Sequence, residues 1–166
     1  MKSNYITRAK KFLAQIAPYL ESFKNVNDAV YEFNYDHRRK VIVKHGMTRY
    51  ALLTSDYVIK WDYNEQRVKQ YGGCENEFSI YQRAENAGYG YLFAQITIVE
   101  GYKKKFYIMP RIDKIAMDAG KDCIDEYLTE DEQEYIYWDL CVGDIHDENW
   151  GFLNGDPVLI DYACVN

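Results

Sequence analysis

The stretch that decides the fold is residues 142–163, which read Val142-Gly-Asp-Ile-His-Asp-Glu-Asn-Trp-Gly-Phe-Leu-Asn-Gly-Asp-Pro-Val-Leu-Ile-Asp-Tyr-Ala163. At its centre lies Asn154-Gly155, a dipeptide that accepts two positive φ angles and is typical of two-residue hairpin turns. An apolar run, 150–153, precedes the dipeptide, and a second one, 158–160, follows it. The stretch therefore predicts a tight β-hairpin.

Polar side chains stand at the open end of this hairpin. Asp144 and Asn149 come just before the first strand, and Asp161 closes the second strand. The hairpin would bring two carboxylates and one amide oxygen together, and such hard oxygen ligands suit Mg²⁺. The alternative is an acidic hairpin in which Asp and Asn only cap turns.

The spacing Asp144-x-x-x-x-Asn149, the short hairpin and then Ile160-Asp161 resemble the catalytic and metal-binding loops of the protein-kinase-like superfamily. The opening, Gly143 to His146, is closer to the Gly-Asp-x-His of aminoglycoside phosphotransferases and lipid kinases than to the His-Arg-Asp of eukaryotic protein kinases. The whole run is also similar to the kinase domain of T7-type bacteriophages.

The resemblance implies a role for each residue of the loop. Asp144 would be the catalytic base or would orient the acceptor hydroxyl, and Asn149 and Asp161 would bind Mg²⁺. His146 would donate to the γ-phosphate of ATP, or it would be a structural residue that fixes the loop.

Composition and charge restrict the class of protein. A chain of 166 residues with 48% hydrophobic and 28% charged residues is long enough for one globular domain, or for two small lobes that share a cleft. A formal net charge of -6 argues against nucleic-acid binding. No apolar run has membrane-spanning length, and the four cysteines contain no Cys-x-x-Cys pair. We expect a cytoplasmic protein, located in the host cytoplasm if a phage encodes it.

The first part of the chain predicts helices and then strands. Apolar spacings of three and four predict helices over about 5–23 and 27–38, which we interpret as packing elements. From residue 40 the period becomes that of strands, with β-rich runs that end near residues 43, 53 and 61. Two further strands, 91–99 and 105–109, complete a five-stranded antiparallel sheet.

The kinase resemblance extends to the sheet. In Tyr-Val-Ile-Lys-Trp, Lys60 takes the place of the strand lysine that binds the α- and β-phosphates of the nucleotide. The alternative is a surface lysine on a half-buried strand. Between the first two strands there is a single glycine, Gly46, where the family has several, so the phosphate-binding loop departs from the pattern.

Two other segments carry nucleotide-binding candidates. A helix over 75–87 has a start similar to the kinase helix whose glutamate pairs with the strand lysine, so Glu77 is the predicted partner and Glu75 the second choice. A glutamate in a first turn is otherwise a dipole-favoured surface residue. The resemblance also places the adenine edge at the backbone of Met109 and Arg111, although a strand end with proline accounts for this segment equally well.

The last part of the chain predicts a support for the loop. Residues 113–126 are acidic and poorly periodic, and we expect a loop with one helical turn there. A capping box at Thr129 opens a helix to about Cys141, which leads into the loop of Asp144. The chain ends at Asn166, so we expect the acceptor-binding half of a kinase to come from the N-terminal helices, a partner protein or a second copy, or to be absent.

The predicted fold is α+β, a minimal protein-kinase-like fold with N-terminal helices (1–39), an N-lobe with a five-stranded antiparallel sheet (40–112) and a reduced C-lobe with the catalytic hairpin (113–166). The predicted function is phosphotransfer from ATP with Mg²⁺, by a phage protein kinase acting on Ser or Thr of a host protein. The competing hypothesis is a catalytically silent, pseudokinase-like binding protein that inhibits or redirects a host factor. Neither hypothesis involves nucleic acid or a membrane.

Overall fold

The computed structural model describes residues 2–112, 127–143, 145 and 147–163. The chain divides into two compact units. The first contains Met1–Asn64 and Ile96–Arg111, and the second contains Glu65–Gln95 and Ile112–Asn166. This grouping differs from the three predicted segments because the N-terminal helices share one core with the sheet, whereas residues 65–95 pack with the C-terminal part.

The first unit is a sheet covered by two helices. Its elements are α1 (Lys2–Ser22), α2 (Val26–His37), β1 (Ile42–His45), β2 (Arg49–Leu53), β3 (Tyr57–Asp62), β4 (Thr97–Val99) and β5 (Phe106–Pro110). All neighbouring strands are antiparallel, in the order β1-β2-β3-β5-β4. The predicted α+β class and five-stranded antiparallel sheet are confirmed.

The core of this unit lies between the helices and one face of the sheet. Residues at helical spacing on α1 and α2 meet alternate residues of the strands, because a strand presents every second side chain to the same face. The cluster includes Ala9, Phe12, Leu13, Ile16, Ala29, Val30 and Phe33 from the helices, and Leu52, Tyr57, Ile59, Trp61, Phe106 and Ile108 from the strands.

Local signals set the ends of α2. The Asn25 side chain accepts a hydrogen bond from the backbone N–H of Asn27 at 2.8 Å, as an N-cap does. At the other end, Arg38 adopts a left-handed conformation with φ 49°, which stops the helix. Among the described residues, no helix has both the length and the apolar character to cross a membrane.

The second unit is built from short helices and the hairpin. Its elements are α3 (Glu65–Tyr71), α4 (Cys74–Asn86), a 3-10 turn (Gly90–Leu92), α5 (Glu130–Glu134) with a π-helical turn (Tyr135–Asp139), a second 3-10 turn (Asp147–Asn149), β6 (Trp150–Leu153) and β7 (Asp156–Leu159). The hairpin lies where the Asn-Gly signal predicts it, with β6 and β7 antiparallel.

Two predicted elements are wrong in part, and one observed helix was not predicted. The strand over 91–99 is a strand only from Thr97, because the backbone N–H of Ala94 bonds to the carbonyl of Leu159 at 2.8 Å in the second unit. The short α3 was not predicted, and it has no buried residue that would give a periodic signal. The helix after Thr129 is α-helical for one turn and then widens into the π-helical turn. The predicted loop over 113–126 lies outside the described residues.

The capping box of α5 is present. The hydroxyl of Thr129 accepts the Glu132 backbone N–H at 3.3 Å, and the Glu132 carboxylate accepts the Thr129 N–H at 2.7 Å and the Tyr91 hydroxyl at 2.5 Å. Burial opposes the charge of Glu132, but these hydrogen bonds outweigh it and lower the pKa of the carboxyl below 4.5. Burial and the same contact raise the pKa of Tyr91 to about 12.

We predict that Glu132→Gln costs about 1 kcal/mol of unfolding free energy at neutral pH, because a neutral amide accepts the hydrogen bonds of Thr129 and Tyr91 more weakly than a carboxylate does. Because the folded-state pKa of Glu132 is lowered, its contribution is present above the unfolded-state pKa and is lost as pH falls through the lowered value. Urea unfolding followed by circular dichroism should show the wild type and the variant converging in acid. The control is Glu130→Gln, an exposed residue of the same turn. A difference that does not change with pH would contradict the assignment.

Candidate functional site

Lys60 occupies the centre of the sheet in the first unit. It lies on β3, opposite Ala51 of β2 and Tyr107 of β5. Its neighbours Ile59 and Trp61 point into the core under the helices, so strand alternation puts Lys60 on the other face of the sheet. The residue is only 8% exposed. Lys60 is therefore a buried lysine and not the surface lysine of the alternative interpretation.

The backbone of the predicted adenine site is engaged in the sheet. The N–H of Arg111 donates to the carbonyl of Asp56 at 2.9 Å. Hydrogen-bonded and non-hydrogen-bonded pairs alternate along antiparallel strands, so the pair Val58 and Met109, two positions away, is also hydrogen-bonded. Adenine contacts through Met109 and the Arg111 N–H would compete with these bonds. The adenine assignment stays a prediction.

Gly46 lies in the turn between β1 and β2. Its N–H donates to the carbonyl of Arg49 at 2.9 Å, and its own carbonyl accepts the hydroxyl of Tyr63 at 2.8 Å. A Cβ at Gly46 would meet no atom within 4 Å. The N–H of this single glycine therefore closes the turn, and its backbone makes no close approach that requires glycine.

The hairpin of the second unit brings the two predicted metal ligands to the same end. Asn154 and Gly155 have φ angles of 59° and 98°, the two positive values that the turn requires. At the open end, the N–H of Ile160 donates to the carbonyl of Asn149 at 2.7 Å. Asn149 thus faces Ile160 across the hairpin, and Asp161 is the next residue. The two predicted ligands therefore lie at the same end of the hairpin, and their binding of Mg²⁺ stays a prediction.

The chemistry of these two residues fits Mg²⁺. Asn149 ends the second 3-10 turn and is 8% exposed, and Asp161 is partly buried. Mg²⁺ needs only one or two protein carboxylates because it keeps waters and takes phosphate oxygens from the substrate. In the part of the chain that the structure describes, no group of three or more His, Cys, Asp or Glu could hold a metal. A site of one amide and one carboxylate oxygen does not depend on such a group.

The N-terminal turn of α4 holds the backbone that follows Asp161. Glu77 is fully buried, and its carboxylate accepts the N–H of Tyr162 at 3.3 Å. The neighbouring Asn76 donates its side-chain N–H to the carbonyl of Ala163. Sequence reasoning missed both contacts because they join residues more than 80 positions apart. The predicted ion pair of Glu77 with the strand lysine stays a prediction, and the second choice, Glu75, is exposed.

The structure gives a reason for glycine at position 72 that the sequence did not reveal. Its φ is 78°, and a Cβ at this position would lie 2.2 Å from the carbonyl oxygen of Ala163. The sequence suggests a hinge at the Gly72-Gly73 pair, whereas the structure explains Gly72 by the close approach of the segment after Asp161. Asp144 and His146, the predicted catalytic residues of the loop, lie outside the described residues.

Three of the predicted site residues have deep burial in common. Among the described residues, four polar or charged ones are buried: Thr48, Lys60, Glu77 and Asn149. The last three are residues that the motifs assign to nucleotide or metal binding. Buried charged side chains are rare because removing them from water is costly unless they are paired.

No protein-family model, curated protein or solved structure matches this chain.

We predict that Gly72→Ala destabilises the second unit more than Gly88→Ala does. Both glycines have positive φ, 78° and 87°, which costs an L-residue roughly 1–2 kcal/mol. Only the new Cβ at Gly72 would also strike the Ala163 carbonyl, whereas the space at Gly88 is open. Urea unfolding should show the larger loss for Gly72→Ala, with faster amide exchange at Tyr162. Equal losses in the two variants would contradict the close approach.

Proposed function

We propose that this chain is an ATP- and Mg²⁺-dependent phosphotransferase of the protein-kinase-like type, with a protein Ser or Thr hydroxyl as acceptor. The observation that carries the proposal is the burial of Lys60, Glu77 and Asn149, at 8%, 0% and 8% exposure. The motifs assign the same three residues to nucleotide or metal binding. Charged side chains are almost never fully buried unless they are paired, so their burial at these positions supports a site.

The roles divide between positioning and charge neutralisation. Asn149 and Asp161 would hold Mg²⁺, which when bound neutralises charge on the phosphate oxygens. Lys60 is assigned to the α- and β-phosphates, where its buried ammonium is less screened than a surface lysine. Such electrostatic stabilisation accounts for most of the catalysis of phosphoryl transfer.

The reaction needs one proton acceptor. The hydroxyl oxygen of the acceptor forms a bond to the γ-phosphorus of ATP while the bond from that phosphorus to the β–γ bridging oxygen breaks, and ADP leaves. Asp144 is assigned to orient the hydroxyl and to take its proton, and His146 to donate to the γ-phosphate. Both assignments follow from the resemblance of the loop to those of phosphotransferases.

Glu77 acts in this proposal as a positioning residue. Its carboxylate holds the N–H of Tyr162, directly after Asp161. A metal-binding carboxylate is effective only when its backbone is fixed, since small displacements cost much of the catalytic rate. The contact between α4 and this backbone supports a site whose geometry is held before the nucleotide binds.

The second candidate is a pseudokinase-like binding protein that inhibits or redirects a host factor. Two observations favour it. The N–H of Gly46 is used within its own turn, and that of Arg111 is used within the sheet. Both are groups that a kinase would offer to the nucleotide. The similarity of the loop to the T7-type phage kinase domain makes a phage origin and a host protein part of both proposals.

We predict that ATP with Mg²⁺ raises the melting temperature of the wild type, and that ATP with EDTA raises it much less. Binding to the folded state alone adds about 2.7 kcal/mol of stability at a hundredfold excess of ligand over Kd. Asp161→Asn and Asn149→Leu should abolish the effect of Mg²⁺. The matched control is Asp156→Asn, an exposed hairpin carboxylate with the same charge change. No Mg²⁺-dependent shift in the wild type would favour the binding protein.

We predict that the wild type transfers labelled phosphate from ATP to itself or to proteins of a host lysate. Asp144→Ala should lower the rate by about 100-fold or more, the usual contribution of a positioned general base. Asp156→Asn again serves as the control and should retain the rate. Equal incorporation by the wild type and Asp144→Ala would contradict the role of Asp144.

A further inference from the structure

A basic cleft lies in the first unit, and none of the residues that line it is assigned to the nucleotide or to Mg²⁺. Its walls are α1, residues 39–41 after α2, and the turn over residues 54–57 between β2 and β3. The cavity has a volume of about 560 Å³. This is within the usual range for sites that bind small molecules.

The charge of the cleft is opposite to that of the chain. Four cationic side chains line it, Arg8, Lys11, Arg39 and Lys40, together with one acidic side chain, Asp56. The cleft thus has an excess of positive charge, whereas the whole chain has a formal net charge of -6. A local concentration of cations on an acidic protein attracts small anions and does not favour long polyanions.

Both arginines of the cleft are held in place. The Nη2 of Arg8 lies 2.6 Å from the Oδ2 of Asp56. The guanidinium carbon of Arg39 lies 5.9 Å from the ring centroid of Phe12. The planar donors of a guanidinium match the geometry of phosphate.

The turn that forms one wall is also fixed. The hydroxyl of Thr54 donates to the carbonyl of Tyr57 at 2.8 Å and accepts the Tyr57 N–H at 3.1 Å. Arg111 holds the same turn through its backbone bond to Asp56 and through its side chain, whose Nη1 donates to the Thr54 carbonyl at 2.5 Å. The cleft is therefore part of the folded framework of the first unit.

The cleft also has apolar side chains in its lining. Phe12, Val41 and Tyr57 are buried residues of the core that also line the cavity. A ligand that fits this pattern has an anionic group for the arginines and lysines and a nonpolar part for the aromatic side chains.

We propose that the basic cleft binds a small soluble molecule that carries phosphate groups. Its phosphates contact Arg8, Arg39 and the neighbouring lysines, and its nonpolar part packs against Phe12 and Tyr57. Arg and Lys are the side chains that recognise phosphate, Arg through bidentate hydrogen bonds. The proposed site needs no Mg²⁺, so its test does not depend on whether the chain is a phosphotransferase.

The test is calorimetric titration with tripolyphosphate in EDTA at physiological ionic strength. The wild type should bind, and Arg39→Glu should weaken binding at least tenfold. The control is Lys104→Glu, which makes the same charge change at an exposed residue outside the cleft, and its affinity should stay within about threefold of the wild type, since distant surface charges are screened. Asp56→Asn should bind more tightly, because the carboxylate competes with the ligand for Arg8.

Two comparisons make the result decisive. Lys11→Glu, on the exposed surface of α1, repeats the test if Arg39→Glu does not fold. A phosphoserine peptide distinguishes a small ligand from a phosphorylated protein, and weaker binding of the peptide than of tripolyphosphate supports the proposal. Absence of binding at millimolar tripolyphosphate, equal loss in Lys104→Glu and the cleft variants, or tighter binding of the peptide would overturn it.

Discussion

The constraint on which the first unit depends is that one face of its sheet is sealed by α1 and α2. Strand alternation then decides the place of every residue on β3. Ile59 and Trp61 must be apolar because they meet the helices, and Lys60, between them, must lie on the opposite face. A shift of register by one residue would put the ammonium into the apolar core, which would be strongly unfavourable. The position of Lys60 is therefore set by the packing of its neighbours.

In the second unit, hydrogen bonds to the backbone fix the position of the end of the hairpin. The Asn154-Gly155 turn fixes the register of β6 and β7, and that register sets Asn149 opposite Ile160. The start of α4 then binds the two peptide groups that follow Asp161. A main-chain hydrogen bond across the hairpin holds this segment on one side, and two side chains of α4 hold it on the other. Contacts within the protein therefore fix the backbone at the end of the hairpin.

The sequence could predict the structural features that depend only on residues close together in the chain. The Asn-Gly turn, the capping box at Thr129 and the strand that contains Lys60 are all local signals, and the structure has them. The contacts of Glu77 with Tyr162 and of Gly72 with Ala163 join distant segments, and a single sequence has no signal for them beyond an unexplained glycine. The strand predicted over 91–99 failed for the same reason, because Gly90–Leu92 forms a 3-10 turn and Phe93 makes a single bridge to Leu159 of the hairpin.

The burial of Lys60, Glu77 and Asn149 bears on the proposed function because the motifs assign the same three residues to a site. Each is at most 8% exposed, and an apolar side chain of similar size would be retained at lower cost in desolvation and in side-chain entropy. For Glu77 a structural reason exists, since its carboxylate satisfies a buried backbone N–H. Asn149 presents its backbone carbonyl to the N–H of Ile160, a contact that any residue could make. The proposed function assigns its amide side chain to Mg²⁺, as the Asp-x-x-x-x-Asn spacing implies.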